Sequence, residues 1–122
     1  MKRDFKTMGV DQLVQEFVAI TLQQDEANLA DNISKYNRLY RRMTELEKEL
    51  KSRPGDQRRA LIPLCDHENA QVGLQAAIAV LALAPEQARH ALQRVKDQNE
   101  FPAAANAYGM LRALDQGTYV PD

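Results

Sequence analysis

Catalysis needs nucleophiles, titratable groups or metal ligands at workable spacings, and this chain holds few of them. It has two histidines, His67 and His90, and one cysteine, Cys65. His67-Glu68 opens like a zinc-protease motif. That motif needs a second histidine four residues on, so that both imidazoles share one helix face. Position 71 is Gln71, and the motif fails. Cys65 and His67 flank a turn and could be imagined as a nucleophile pair. The thiol sits at the C-terminal end of a predicted helix, where the dipole raises its pKa and disfavours the thiolate. The expectation is a buried structural cysteine and a turn histidine touching a helix end. One cysteine also excludes an intramolecular disulfide and a thiolate zinc site. The five glycines are scattered and form no phosphate-cradling loop. No catalytic residue, cofactor-binding residue or metal ligand is therefore expected.

The charged side chains read differently. Glu45, Glu47 and Glu49 cluster, with Arg41 and Lys51 four residues from Glu45 and Glu47. That spacing predicts solvated helix-face ion pairs worth about 0.2–0.5 kcal/mol each. Lys35, Arg38, Arg41 and Arg42 make a single basic patch. It suits phosphates, an acidic partner or plain solvation. Asn37 sits mid-helix, where asparagine is a poor helix former. Either its amide satisfies a backbone group in the neighbouring turn, or it joins Tyr40 and Arg41 in a polar recognition spot.

The chain that positions these groups has 122 residues, 44% hydrophobic and 27% charged, as in a soluble globular domain. Sixteen Lys and Arg against seventeen Asp and Glu leave a net charge of -1, with no general pull toward nucleic acid. Met1 to Lys6 is charged and no uninterrupted apolar run follows, so no secretory signal is expected. The most apolar stretch, Leu74 to Ala84, would rise about 16 Å as a helix, too short for a bilayer. With a free thiol, these features point to a cytoplasmic protein without a membrane partner.

Apolar residues recur at helical spacing throughout, and no segment shows the two-residue alternation of a strand. Val10, Leu13, Val14, Phe17, Val18 and Thr21 mark a first helix from about Gly9 to Ala30. Asp31 or Asn32 can cap a second, from Ile33 to Lys51, with Ile33, Tyr36, Leu39, Tyr40, Met43, Leu46 and Leu50 on its apolar face. Each would be about 30 Å long. An antiparallel hairpin is expected, with one continuous helix through Asp31 as the competing reading. Pro54-Gly55 breaks the chain. A third helix, Gln57 to Cys65, should kink at Pro63. A fourth, Ala70 to Leu83, is apolar nearly all round and should lie buried. Pro85 suits the first position of a fifth helix, ending around Asn99. Phe101-Pro102 opens a sixth, and Gly117 ends it before the tail Thr118 to Asp122. Gly73 and Ala77 on the fourth helix should meet an Ala105, Gly109 and Ala113 ridge on the sixth at close range. Gly109→Leu should then destabilise by about 1–3 kcal/mol.

From Leu61 to Leu83 the chain resembles a HEAT repeat, carried by Leu61, Pro63, Leu64, Asp66, Asn69, Val72, Ala76 and Leu81. Gly73 replaces the basic residue that follows the Val in that family and removes its intra-repeat ladder contact. Pro85 to Leu114 resembles a degenerate second repeat, with Ala88, Leu92, Val95 and Leu111. The whole chain also resembles a small uncharacterised bacterial family with HEAT-like helices. That likeness rests on Tyr36-Asn37-Arg38-Leu39, Arg58-Arg59-Ala60-Leu61, Pro63-Leu64, His67-Glu68-Asn69-Ala70-Gln71-Val72 and Ala113-Leu114-Asp115-Gln116-Gly117. It implies a fold and brings no activity.

The expected architecture is all-α: a HEAT-like α-α superhelix of about six helices, forming one domain over 1–122. A long hairpin (9–52) would be followed by two shorter ones (56–116) and a tail (117–122). In HEAT geometry the second helix of each pair lines the inner surface. The expected partner-binding residues are Asn37, Arg38, Tyr40, Arg41, Gln71, Gln75, Asn106 and Arg112. The function expected is recognition of a protein or peptide with no cofactor and no catalysis. An immunity- or antitoxin-like role is one form of it, and self-association along the first or second helix would also fit. The alternative is a small-ligand binder or enzyme with a pocket near Tyr36, Tyr40, Tyr108 and His67. Nucleic-acid binding through the second helix ranks below both.

Overall fold

A computed structural model describes residues 4–122, and every regular element among them is helical. The expectation read from Met1-Lys2-Arg3 lies outside the described residues. Among the described residues there are five α-helices: α1 (Val10–Leu29), α2 (Ile33–Ser52), α3 (Ala70–Ala79), α4 (Pro85–Asp97) and α5 (Ala103–Gln116). Two 3-10 segments, Phe5–Thr7 and Gln57–Asp66, complete the order. The chain divides into two compact units, Met1–Ala60 and Leu61–Asp122. The division falls inside the second 3-10 segment, a little beyond the Pro54-Gly55 break.

The first unit is an α1–α2 hairpin, and its turn explains why one long helix does not form. Asp31 takes a left-handed φ of 56°. Its N–H donates to the Asn28 carbonyl at 3.2 Å, and the Asn32 N–H reaches back to the Ala27 carbonyl at 2.8 Å. This reverse-bonded end satisfies the last carbonyls of α1. The Asn32 side chain then accepts from the Lys35 N–H at 3.1 Å and caps α2. Leu13, Phe17 and Ile20 on α1 and Leu39, Met43, Leu46 and Leu50 on α2 are buried in the seam. The seam runs further than the apolar stripe does. Gln24 is fully buried, and its Nε2 lies 3.5 Å from the Met43 Sδ. Arg53 ties the N-terminal 3-10 segment down. Its guanidinium donates to the Phe5 carbonyl (3.1 Å), the Met8 carbonyl (2.7 Å) and Glu49 (2.9 Å).

The second unit packs α3 against both α4 and α5, and α4 against α5. All of α3 is buried except Ile78, as its all-round apolarity predicts. Pro85 begins α4, and Gly117 closes α5 at a φ of 73°.

Three details differ from the sequence reading. The Gln57–Asp66 segment is a 3-10 helix rather than a kinked α-helix. Pro63 has no N–H to give and its ring crowds the preceding turn, so the tighter pattern wins. The fourth helix ends at Ala79 and not at Leu83. Ala84 precedes a proline, which drives it out of the helical region to φ -140° and ψ 67°. A turn through Val80 to Leu83 takes up the change, with the Leu83 and Ala84 N–H groups both bonding to the Val80 carbonyl.

The third difference is the orientation of α5. Ala103, Ala104 and Ala107 face inward, while Ala105 and Gly109 are exposed. A Cβ added at Gly109 would meet nothing within 4 Å. The expected Ala105–Gly109–Ala113 ridge is therefore not the packing face, and Gly109→Leu has nothing to overpack. Gly73 is the closely approached glycine. A Cβ there would lie 3.5 Å from the Cys65 carbonyl oxygen, 3.6 Å from that of His67 and 3.8 Å from Val95 Cγ2. These are ordinary van der Waals distances for a methyl group, at a position that is fully enclosed.

Candidate functional site

Helical spacing lays two stripes side by side on the hairpin. On α1, Glu16, Ile20 and Gln23 fall at i, i+4 and i+7. On α2, running the other way, Arg38, Leu39, Arg41, Arg42 and Glu45 cover two turns. Together they line a groove of about 510 Å³. Ile20 and Leu39 are nearly buried and form its apolar floor.

The five charged lining residues are not equivalent. Arg42 is half-buried. It stacks over the Phe5 ring, 3.8 Å from guanidinium carbon to ring centroid, and lies 3.7 Å from a Glu45 carboxylate oxygen. Glu16, Arg42 and Glu45 each have further polar or electrostatic partners. Arg38 and Arg41 are exposed, and among the described residues they make no hydrogen bond or ion pair. The expected Arg41–Glu45 pair does not form, because Glu45 turns to Arg42. The other two glutamates also depart from simple solvated pairs. Glu49 bonds Arg53 at 2.9 Å. Glu47 is half-buried, and burial pushes its pKa up to about 7 although the Arg58 charge pulls it down. Arg58 is itself held by Asp56 through two bonds of 2.9 and 2.7 Å, and those bonds keep the Asp56 carboxyl below its usual range.

Of the expected partner-binding residues, the structure gathers Asn37, Arg38, Tyr40 and Arg41 on exposed parts of α2. Asn37 makes no hydrogen bond among the described residues, so its amide does not satisfy a neighbouring turn. Tyr40 stacks on Tyr36 with ring centroids 6.5 Å apart. Asn106 and Arg112 are exposed on α5, and Arg112 donates to the Tyr108 hydroxyl at 3.2 Å. Gln71 and Gln75 are a correction. They are 1% and 6% exposed, within the α3 core, and offer no polar surface. Their polarity hides a helix that is buried on every side.

Of the residues singled out for the alternative pocket, Tyr36 and Tyr108 line two hollows with no residue in common, and Tyr40 and His67 line neither. Tyr36 borders a hollow of about 110 Å³ at the hairpin turn, with Asn28, Asn32 and Ile33. Tyr108 borders a cleft of about 390 Å³ with Lys96, Asn99 and Phe101. His67 belongs to a helix start, its Nδ1 accepting from the Asn69 N–H at 3.0 Å. Cys65 is buried. Burial, with Asp66 beside it, raises the thiol pKa against the pull of Arg94. Arg94 donates to the Cys65 carbonyl and bonds Asp66 at 3.1 Å, tying α4 to the end of the 3-10 segment.

Among the described residues no group of three or more His, Cys, Asp or Glu could hold a metal ion, and no helix is long and apolar enough to cross a membrane. Ile33 and Tyr40, expected on the apolar face of the second helix, are instead 72% and 44% exposed, and with Leu29 at 80% Ile33 makes an exposed apolar tip of the hairpin that the sequence reading missed. The signal was present: Leu29 and Ile33 lie beside the Asp31-Asn32 turn, where the seam ends.

Residues 11–115 match the family described as "Domain of unknown function (DUF2019)". The chain belongs to that family. It is also similar to the protein RPA1889 from Rhodopseudomonas palustris CGA009, known from a crystal structure. The two are 44% identical over 99% of this chain and 100% of that one, with a TM-score of 0.94. No curated protein matches the chain. These likenesses carry the all-helical fold along the chain and bring no activity with them.

Proposed function

We propose that the protein is a non-catalytic, HEAT-like recognition module of the cytoplasm that binds a protein or peptide partner without a cofactor. The observation that carries this reading is the pair Arg38 and Arg41, exposed above an open groove and uncommitted among the described residues. An exposed ion pair is worth at most about 1 kcal/mol to a fold, so cations left without a partner here cost the hairpin little and stay available. Here two of them stand beside an apolar floor, and that combination suits contact with another chain. The α1–α2 hairpin and the packing of α3 on α4 supply the rigid helical supports a HEAT-like module uses.

The test is site-specific photo-crosslinking in the native host. A photoreactive side chain replaces Asn37 on α2 or, as a control, Gln87 on α4. A discrete heavier adduct from position 37, absent from position 87, is expected. Equal labelling at both positions, or none at either, would overturn the reading.

A further inference from the structure

We infer that the α1–α2 groove docks an acidic amphipathic segment of another protein: one apolar side chain on Ile20 and Leu39, and two carboxylates on Arg38 and Arg41. This rests on the recognition reading above and names the chemistry of its partner.

Size comes first. A groove of about 510 Å³ accepts a few side chains and not a folded domain. Its floor, Ile20 and Leu39, offers an apolar seat flanked by charge. Arg38 and Arg41 stand three residues apart on one helix, so their Cβ atoms are about 5–6 Å apart. Carboxylates three or four residues apart on a partner helix have the same spacing. Two guanidinium–carboxylate pairs can therefore form together, each with the planar two-point fit that arginine gives.

The remaining charges select against a polyphosphate. Glu16 and Glu45 also line the groove, so three arginines face two carboxylates there. Arg42 is already occupied by Phe5 and Glu45. A nucleic-acid strand would carry a phosphate past each glutamate and find only two uncommitted cations. A peptide can place its two carboxylates at Arg38 and Arg41 and leave the positions beside Glu16 and Glu45 neutral or basic.

The experiment uses the labelled full chain on an array of short helical peptides. Each peptide has a central leucine flanked by glutamate, glutamine or lysine pairs three or four residues apart. Immobilised oligo-dT and inorganic phosphate competition are run beside it. Glutamate-pair peptides should retain at least about tenfold more protein than their glutamine counterparts, and the excess should fall with salt. Arg38→Gln/Arg41→Gln should erase the preference, and Arg38→Glu/Arg41→Glu should turn it toward lysine pairs. Circular dichroism of both variants confirms folding. Equal retention of glutamate and glutamine peptides, a preference that survives both variants, or tighter retention on oligo-dT would overturn the proposal. A crosslink from position 37 that persists in the Arg38→Glu/Arg41→Glu protein removes the groove assignment and leaves the recognition reading standing. Loss of crosslink and peptide preference in the unmodified groove removes both.

Discussion

The two compact units differ in how completely their arginines are engaged. In the Leu61–Asp122 unit the cations are committed. Arg94 binds the Cys65 carbonyl and Asp66, Arg89 binds Asp115 at 3.0 Å, and Arg112 binds Tyr108. In the hairpin, Arg42, Arg53 and Arg58 are similarly engaged, but Arg38 and Arg41 are left over on one face. The same residue type is thus fastening in one place and surface in another. Sequence spacing alone does not separate the two, because what decides is whether a carbonyl or carboxylate lies within reach.

The largest expected effect tests whether the hairpin is a packed body in its own right. Phe17→Ala empties the centre of the α1–α2 seam, where Phe17 is fully buried. It should destabilise by about 3–5 kcal/mol in urea denaturation. A loss near zero would mean that the seam is not a core.

Next is the pH dependence of the hairpin. Burial raises Glu47 from 4.5 to about 7. Between those values the folded chain keeps a proton that the unfolded chain has released, so stability falls as pH rises and the fall is complete above about 7. Glu47→Gln imitates the protonated acid. It should stabilise by about 1–3 kcal/mol near pH 8 and change little near pH 4. Equal effects at both pH values would contradict the burial of an ionisable Glu47.

A smaller change sharpens the contrast between cations. Arg94→Ala should cost about 1–2 kcal/mol, since it leaves the part-buried Cys65 carbonyl without its donor. The smallest effects separate two glycines. Gly109→Ala should stabilise by about 0.5–1 kcal/mol through helix propensity, with open space around the new methyl group. Gly73→Ala should be tolerated, but Gly73→Leu should drive its side chain into the Cys65 and His67 carbonyls and lower the melting temperature. Similar melting for Gly73→Leu and Gly109→Leu would sink that distinction.

These residues also show what was legible in advance. Helix limits at Asn32, Pro85 and Gly117 could be read because each depends on a local rule: a side-chain cap, a fixed φ, a left-handed terminator. The burial of α3 followed from its all-round apolarity. The orientation of α5 did not follow. Alanines occur on several of its faces, so the 105–109–113 ridge and the 103–104–107 face look equally suitable from spacing. Gln71 and Gln75 misled for the reverse reason, since a polar side chain in a buried stripe carries no local mark of its burial. The α2 cations were legible as a patch. Their division into Arg42, stacked on Phe5, and Arg38 and Arg41, uncommitted, depends on where the N-terminal 3-10 segment lays Phe5 against α2.

The most direct test of this division compares thermal melting of Arg38→Gln/Arg41→Gln with that of Arg94→Ala in one buffer. The hairpin double variant should melt with the unmodified protein, while Arg94→Ala should melt several degrees lower. A clear loss in the double variant, with Arg94→Ala unchanged, would mean that the hairpin arginines hold the fold together and are not available for a partner.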